Sequence, residues 1–111
     1  MKIGIVDNYD SFTYNLVHYL EDITGNKPLV SMNNDVHWSE LDGCSHIVLS
    51  PGPGLPKESG QLMEVLKRYH THKNILGVCL GMQAIGEFFG AHLKNLEEVQ
   101  HGVQTIIHIE G

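Results

Sequence analysis

Asn74-Ile75-Leu76-Gly77-Val78-Cys79-Leu80-Gly81-Met82-Gln83 decides how the rest of the chain is read. Its first half, through Val78, is a short apolar run, the pattern of a strand buried on both faces. From Leu80 onward the apolar residues Leu80, Ala84, Ile85, Phe88 and Phe89 recur at helical spacing as far as Gly90. A strand therefore passes into a helix with one cysteine at the junction and a glycine two residues to either side. This is the Gly-x-nucleophile-x-Gly form of a nucleophile elbow. The sharp turn strains the nucleophile's backbone, and the flanking glycines remove the Cβ atoms that would clash. The thiol stands proud of the sheet at a helix N-terminus, where the positive end of the dipole favours thiolate. The Leu80 N–H points into the same space and can stabilise an oxyanion. A lone cysteine in a β–α turn reads equally well as a buried structural residue, so the surrounding chain has to decide.

Working outward, His46-Ile47-Val48-Leu49-Ser50 is another strand with an apolar centre, and it runs into the stiff loop Pro51-Gly52-Pro53-Gly54. The prolines fix φ and remove N–H groups, and the glycines let backbone approach a ligand closely. Such a loop can present the Gly54 N–H as a second oxyanion donor facing Cys79, or be a plain tight turn. The N-terminal run Ile3-Gly4-Ile5-Val6 is a third buried strand, ending in the polar turn Asp7-Asn8-Tyr9-Asp10. Asp10 or Ser11 is expected to cap a helix over 11–23, with Phe12, Leu16, Tyr19, Leu20 and Ile23 on its apolar face and Gly25-Asn26 ending it. Pro28–Met32 reads as a strand, 33–45 as a polar irregular stretch anchored by Trp38 and Leu41, and 59–72 as a helix. Val103, Thr105, Ile107 and Ile109 alternate as in a half-buried strand. The rhythm is that of a three-layer α/β/α fold on a mostly parallel sheet, with ligands beyond the carboxyl ends of the strands. The loops 7–11, 50–57 and 78–81 leave those ends.

Composition bounds the function. The chain has 111 residues, 7 basic and 13 acidic, for a formal charge of −6 with its eight His neutral. That is one domain at most. The acidic balance and the single Arg68 speak against nucleic acid as the principal partner. No apolar run approaches the roughly 20 residues of a membrane span, and the short N-terminal run meets Asp7 too soon for a signal peptide. Two Cys are too few for a disulfide scaffold, so a reduced, cytoplasmic protein is expected. His70, His72, Cys44 and His46 lack a C-x-x-C or H-x-x-x-H frame, and neither a metal nor a cofactor is expected. The Phe88-Phe89 pair reads as core and Glu97-Glu98 as a solvated turn.

Three segments together resemble a known family. Gly77-Val78-Cys79-Leu80-Gly81-Met82-Gln83 is similar to the nucleophile segment of class I (triad) glutamine amidotransferases, and Pro51-Gly52-Pro53-Gly54 to their oxyanion loop. Asp7-Asn8-Tyr9-Asp10-Ser11-Phe12-Thr13-Tyr14-Asn15-Leu16 resembles the opening of the glutaminase subunits of anthranilate synthase and aminodeoxychorismate synthase. His101-Gly102 also falls where such chains often carry His-Gly. The resemblance implies a flavodoxin-like α/β/α domain in which Cys79 attacks the glutamine side-chain amide and Leu80 and Gly54 form the oxyanion hole. Gly52, Pro53, Gly54 and Gln83 would bind glutamine. The loop Asn8, Tyr9, Asp10, Ser11 and Phe12 would line the site edge or meet a chorismate-using synthase subunit, to which ammonia passes.

The family's base is a His oriented by a Glu two residues later, far downstream, and no His-Pro-Glu occurs here. Residues 1–111 are therefore expected to be the N-terminal part of a single domain, truncated at the C-terminus and inactive alone. His108-Ile109-Glu110 has the His-x-Glu spacing, but such a pair on a strand usually faces solvent, and nothing in the sequence directs it toward Cys79. The alternative reading is a non-catalytic module that docks to a synthase subunit or self-associates through an open sheet edge. A DJ-1-like elbow-cysteine protein ranks lower, because such proteins lack the 51–54 loop and the 7–16 opening. Flavodoxin-like FMN binding ranks lower still, for want of a Ser/Thr-rich phosphate loop after the first strand.

Overall fold

The computed structural model describes residues 2–90 and, as backbone alone, 106–109. Strands β1 (Ile3–Asp7), β2 (Leu29–Met32), β3 (His46–Leu49), β4 (Asn74–Val78) and β5 (Ile106–Ile109) form one sheet in the order β2-β1-β3-β4-β5. The first four pair in parallel, and β5 runs antiparallel to β4. Helices α1 (Thr13–Thr24), α2 (Trp38–Asp42), α3 (Leu62–Tyr69) and α4 (Leu80–Phe88) connect them, with a 3₁₀ turn at Pro56–Glu58.

Alternation along the strands sorts side chains to two faces. Val6, Ile47, Leu49 and Ile75 enter a core shared with Leu41, Leu62, Val65, Leu66, Tyr69 and Ile85, from α2, α3 and α4. Ile3, Ile5 and Val48 enter a smaller one with Val17 of α1, flanked by Leu16, Leu20 and Leu76. Helices on both faces of a mostly parallel sheet make the three-layer arrangement expected from the sequence.

Four local expectations are corrected. The α1 stripe that meets the sheet is Thr13, Leu16, Val17 and Leu20, whereas Tyr19 and Ile23 are 58% and 79% exposed. Leu16 and Leu20 belong to both sets, while Thr13 and Val17 take the inward positions that apolarity assigned to Tyr19 and Ile23. The helix also starts at Thr13 with Phe12 as N-cap. Asp10 Oδ2 accepts the Phe12 N–H at 3.0 Å, so Asp10 shapes the turn before the helix and is not its cap. The stretch 33–45 contains α2, which at five residues is too short to show a period. The helix expected over 59–72 spans only Leu62–Tyr69, because Pro56 opens a separate 3₁₀ turn and Gly60 has φ +57.

β5 also corrects the expectation that nothing directs the tail toward the cysteine, since it lies beside β4, the strand that delivers Cys79. Its register nevertheless sets His108 opposite Leu76, with Ile106 nearest the cysteine end. Three residues of strand put His108 roughly 10 Å from the level of Cys79. His92, Glu97, Glu98, His101, Gly102, Val103, Thr105 and Glu110 lie outside the described residues.

Candidate active site

Three loops leave the carboxyl ends of β1, β3 and β4. The order β2-β1-β3 places a topological switch point between β1 and β3, where the chain departs in opposite directions and a crevice opens. Register fixes what meets there. Val6 pairs with Leu49 and Leu49 with Gly77, so the loops that follow Asp7, Leu49 and Val78 leave the sheet from adjacent strand ends.

Cys79 is the junction residue between β4 and α4, partly exposed, with φ 52 and ψ −108. Among the described non-glycine residues only Tyr9, at φ 63, shares a positive φ. Such a conformation costs on the order of 1–3 kcal/mol and persists only where the surroundings impose it. The two glycines are the means. A methyl on Gly77 would stand 2.6 Å from the Gly81 carbonyl carbon and the Met82 nitrogen. One on Gly81 would stand 2.6 Å from Leu49 Cβ and overlap the Leu49 carbonyl. The elbow is thus pressed onto β3 without a side chain's thickness between them. The Gln83 N–H donates to the Cys79 carbonyl at 2.9 Å, closing the first turn of α4.

The loop after β3 is held at both ends. At its start, Ser50 is fully buried and uses every polar group. Its N–H donates to the Val6 carbonyl (3.1 Å) and its hydroxyl to the Pro51 carbonyl (2.9 Å). Its Oγ and carbonyl accept the Asn8 N–H (2.9 Å) and the Asn8 side-chain amide (2.7 Å). At its far end, Lys57 pairs with Glu87 of α4 at 3.3 Å. Between them Gly52 is wedged: a Cβ there would lie 2.5 Å from Asn8 Cβ and carbonyl O and 3.0 Å from Leu80 Cδ2. Gly54 adopts φ +77, which favours glycine.

The first loop is built on Asp7. Its Oδ1 accepts from the Tyr9 and Asp10 N–H groups and the Thr13 hydroxyl, at 2.9, 3.2 and 2.9 Å. Tyr9 and Ser11 are exposed, and Tyr9 OH donates to Asn34 Oδ1 at 2.6 Å. Asn8, read from the sequence as a site-edge residue, is 1% exposed and serves as an internal strut. The structure thus gathers the three loops singled out from the sequence. It adds two residues that sequence reasoning passed over: Ser50 and Asn33, whose side-chain amide donates to Asn8 Oδ1 at 3.1 Å. A serine between an apolar strand and a proline is a legible candidate for a buried polar link, whereas Asn33, inside a polar run, carries no such signal.

The other cysteine has a different environment. Cys44 is buried in the larger core, and burial, the largest influence, pushes its thiol up from the ordinary range. Only Cys79 combines a thiol with access to solvent.

A cysteine with strained backbone thus stands at a strand-to-helix elbow in a doubly wound α/β fold, next to the strand whose end carries the proline-glycine loop. The profile of the family described as Glutamine amidotransferase class-I matches residues 4–110, and the chain belongs to that family. It is 42% identical over 113 residues to Anthranilate synthase component 2 of Thermus thermophilus, covering all of this chain and 55% of that protein. It is 39% identical over 111 residues to Aminodeoxychorismate/anthranilate synthase component 2 of Bacillus subtilis, covering 98% of this chain and 57% of that one. The chain thus spans about half the length of the curated relatives it matches. The crystal structure of a Thermoplasma acidophilum protein, provisionally called a GMP synthase subunit, superposes with a TM-score of 0.68 at 35% identity, over 83% of this chain and 46% of that one.

Proposed function

We propose that residues 1–111 form the nucleophile-bearing part of a single glutaminase domain that supplies ammonia to a chorismate-using synthase subunit. The observation that carries this is Cys79 at φ 52, clamped by Gly77 and Gly81. The Cys79 thiolate attacks the side-chain amide carbon of glutamine. A sulfur–carbon bond forms, and the tetrahedral oxyanion is held by the Leu80 N–H and by Gly54 of the 51–54 loop. Gly52, Pro53 and Gln83 contribute to the glutamine pocket. The carbon–nitrogen bond then breaks, ammonia departs with the proton released by the thiol, and water hydrolyses the γ-glutamyl thioester.

That proton needs a carrier. The His-Pro-Glu expected from the resemblance does not occur in residues 1–111, and His108 lies roughly 10 Å along the sheet from the level of the nucleophile. The exposed side of the 8–12 loop, Tyr9 and Ser11 with the partly exposed Asp10 and Phe12, lies at the mouth of the crevice and is the surface proposed to meet the synthase subunit.

The test separates binding from turnover. In the 111-residue chain, glutamine slows alkylation of Cys79 by iodoacetamide, read by peptide mass spectrometry, and asparagine does not. Ammonia release from glutamine stays near background. Alkylation indifferent to glutamine overturns the assignment of substrate. Ammonia release that Cys79→Ala abolishes overturns the inactivity of the chain alone.

A further inference from the structure

The buried polar knot beneath the crevice has more structure than a strand end requires. Asn8 and Ser50 are 1% and 0% exposed, and they join through two hydrogen bonds across 42 residues of sequence. Asn33 extends the knot. Its N–H donates to the Asp7 carbonyl (2.9 Å), and its carbonyl accepts the Gln61 N–H (2.7 Å) just before α3. The four polar atoms of the Asn8 and Ser50 side chains and the Ser50 carbonyl are thereby satisfied without water. An apolar pair would fill the same space, so the polar choice calls for a reason.

The reason lies in where the knot ends. The Ser50 hydroxyl accepts the Asn8 N–H and donates its own proton to the Pro51 carbonyl. A trans peptide holds C=O and N–H in one plane, pointing in opposite directions, and this chain has no cis peptide among its described residues. Fixing the Pro51 carbonyl toward the interior therefore fixes the Pro51–Gly52 plane, with its N–H turned away from Ser50. Gly52 is in turn wedged between Asn8 and Leu80, the residue after the nucleophile. Pro53 stiffens the next step of the chain. The orientation of the whole 51–54 loop against Cys79 is set from below.

We infer that Asn8 and Ser50 are positioning residues, which hold the 51–54 loop in its ligand-binding orientation without touching substrate. This rests on the glutaminase reading above. Asn8 is thus excluded from the docking surface, although it belongs to the same loop as Tyr9 and Ser11.

The probe is the chloroketone analogue of glutamine, 2-amino-4-oxo-5-chloropentanoic acid, compared with iodoacetamide on the 111-residue chain. Both alkylate the Cys79 sulfur with loss of halide, but only the first is drawn to the cysteine by the glutamine pocket. In Asn8→Asp, an isosteric change that removes the donor to the Ser50 carbonyl, the chloroketone rate at Cys79 falls about tenfold or more while the iodoacetamide rate is unchanged. A misplacement of about 1 Å at a site can cost as much as about 100-fold. Ser50→Ala shows the same split by freeing the Pro51 carbonyl. Tyr69→Phe, which breaks a partly buried hydrogen bond at the opposite end of the strands, lowers the melting temperature and leaves the ratio of the two rates untouched. A ratio unchanged in Asn8→Asp and Ser50→Ala, or changed equally in Tyr69→Phe, overturns the positioning role. If Asn8→Asp does not fold, the ratio in Ser50→Ala decides. No preference for the chloroketone in the unaltered chain overturns the glutaminase reading itself, and the positioning role falls with it.

Discussion

At the scale of the residue, shape and charge can be told apart. Gly81 is a matter of shape: the carbonyl of Leu49 occupies the place a Cβ would take. Gly81→Ala is expected to lose about 1–3 kcal/mol of stability, the usual range for overpacking, measured by urea denaturation, and to let Cys79 relax from its strained φ. Tyr69 is a matter of charge. Its hydroxyl donates to Asp42 Oδ1 at 2.6 Å and reaches the Trp38 carbonyl at 3.2 Å. Burial first, and the Asp42 carboxylate second, push the phenol from 10.0 up to about 12. The unfolded chain releases this proton near pH 10 and the folded chain holds it to about 12, so the folded state binds more protons between those values. The stability from this pair is whole below pH 10 and drains as pH rises toward about 12. In Tyr69→Phe the decline over that window disappears, checked by urea midpoints at pH 9, 10 and 11. Asp42 works at the other end of the scale. The Tyr69 hydrogen bond, followed by that of Arg68, holds its carboxyl below the ordinary 3.8. Its contribution is present above that value and is lost as pH falls through the lower folded one.

At the scale of the element, α1 and α4 have unequal duties. α4 presses Leu80, Met82, Ala84 and Ile85 into the interior, all at 2% exposure or less. α1 covers its face of the sheet with Val17 and partly with Leu16 and Leu20, and leaves Ile23 overhanging a shallow apolar groove with Val48 and Leu76. Ile85→Ala is expected to cost about 2–5 kcal/mol and Ile23→Ala less than about 0.5 kcal/mol, compared by thermal and urea unfolding. Periodicity disclosed both helices but not the phase of the first, because Tyr19 and Ile23 are apolar in composition and exposed in fact. The strand-to-helix junction at Cys79, by contrast, was legible from the change of period between flanking glycines, although the sequence left the cysteine's role open. The Asn8–Ser50–Asn33 knot was not, since it joins residues 25 and 42 apart whose pairing is set by strand order. α2 was hidden by its length, and Lys73 by its type. That buried lysine donates to the Asp42 and Cys44 carbonyls just beyond α2, and no local pattern announces a lysine satisfied by two carbonyls.

At the scale of the whole molecule, charge is the property that the fold leaves in the open. The chain carries −6 near neutrality, with eight His still to titrate and a pI of about 5.7. Full protonation of those His would carry it to +2. Five of the eight, His18, His37, His46, His70 and His72, are exposed or half-buried on the described surface. His37 lies between Asp35 and Glu40 at 3.8 Å from each. Mutual repulsion, which keeps copies apart at pH 7.5, therefore fades as pH falls through the imidazole range. The half-covered apolar face at Ile23, Val48 and Leu76 is the surface through which association is then expected. Turbidity of the concentrated chain is expected to rise between about pH 6.5 and 5.5, to peak near the pI and to clear at lower pH. Added salt at pH 7.5 should raise it slightly by screening. Ile23→Lys removes apolar area at a position that is 79% exposed and changes the net charge only from −6 to −5. It should flatten the peak without changing the melting temperature. A peak that persists in Ile23→Lys at full height would place the association elsewhere on the surface.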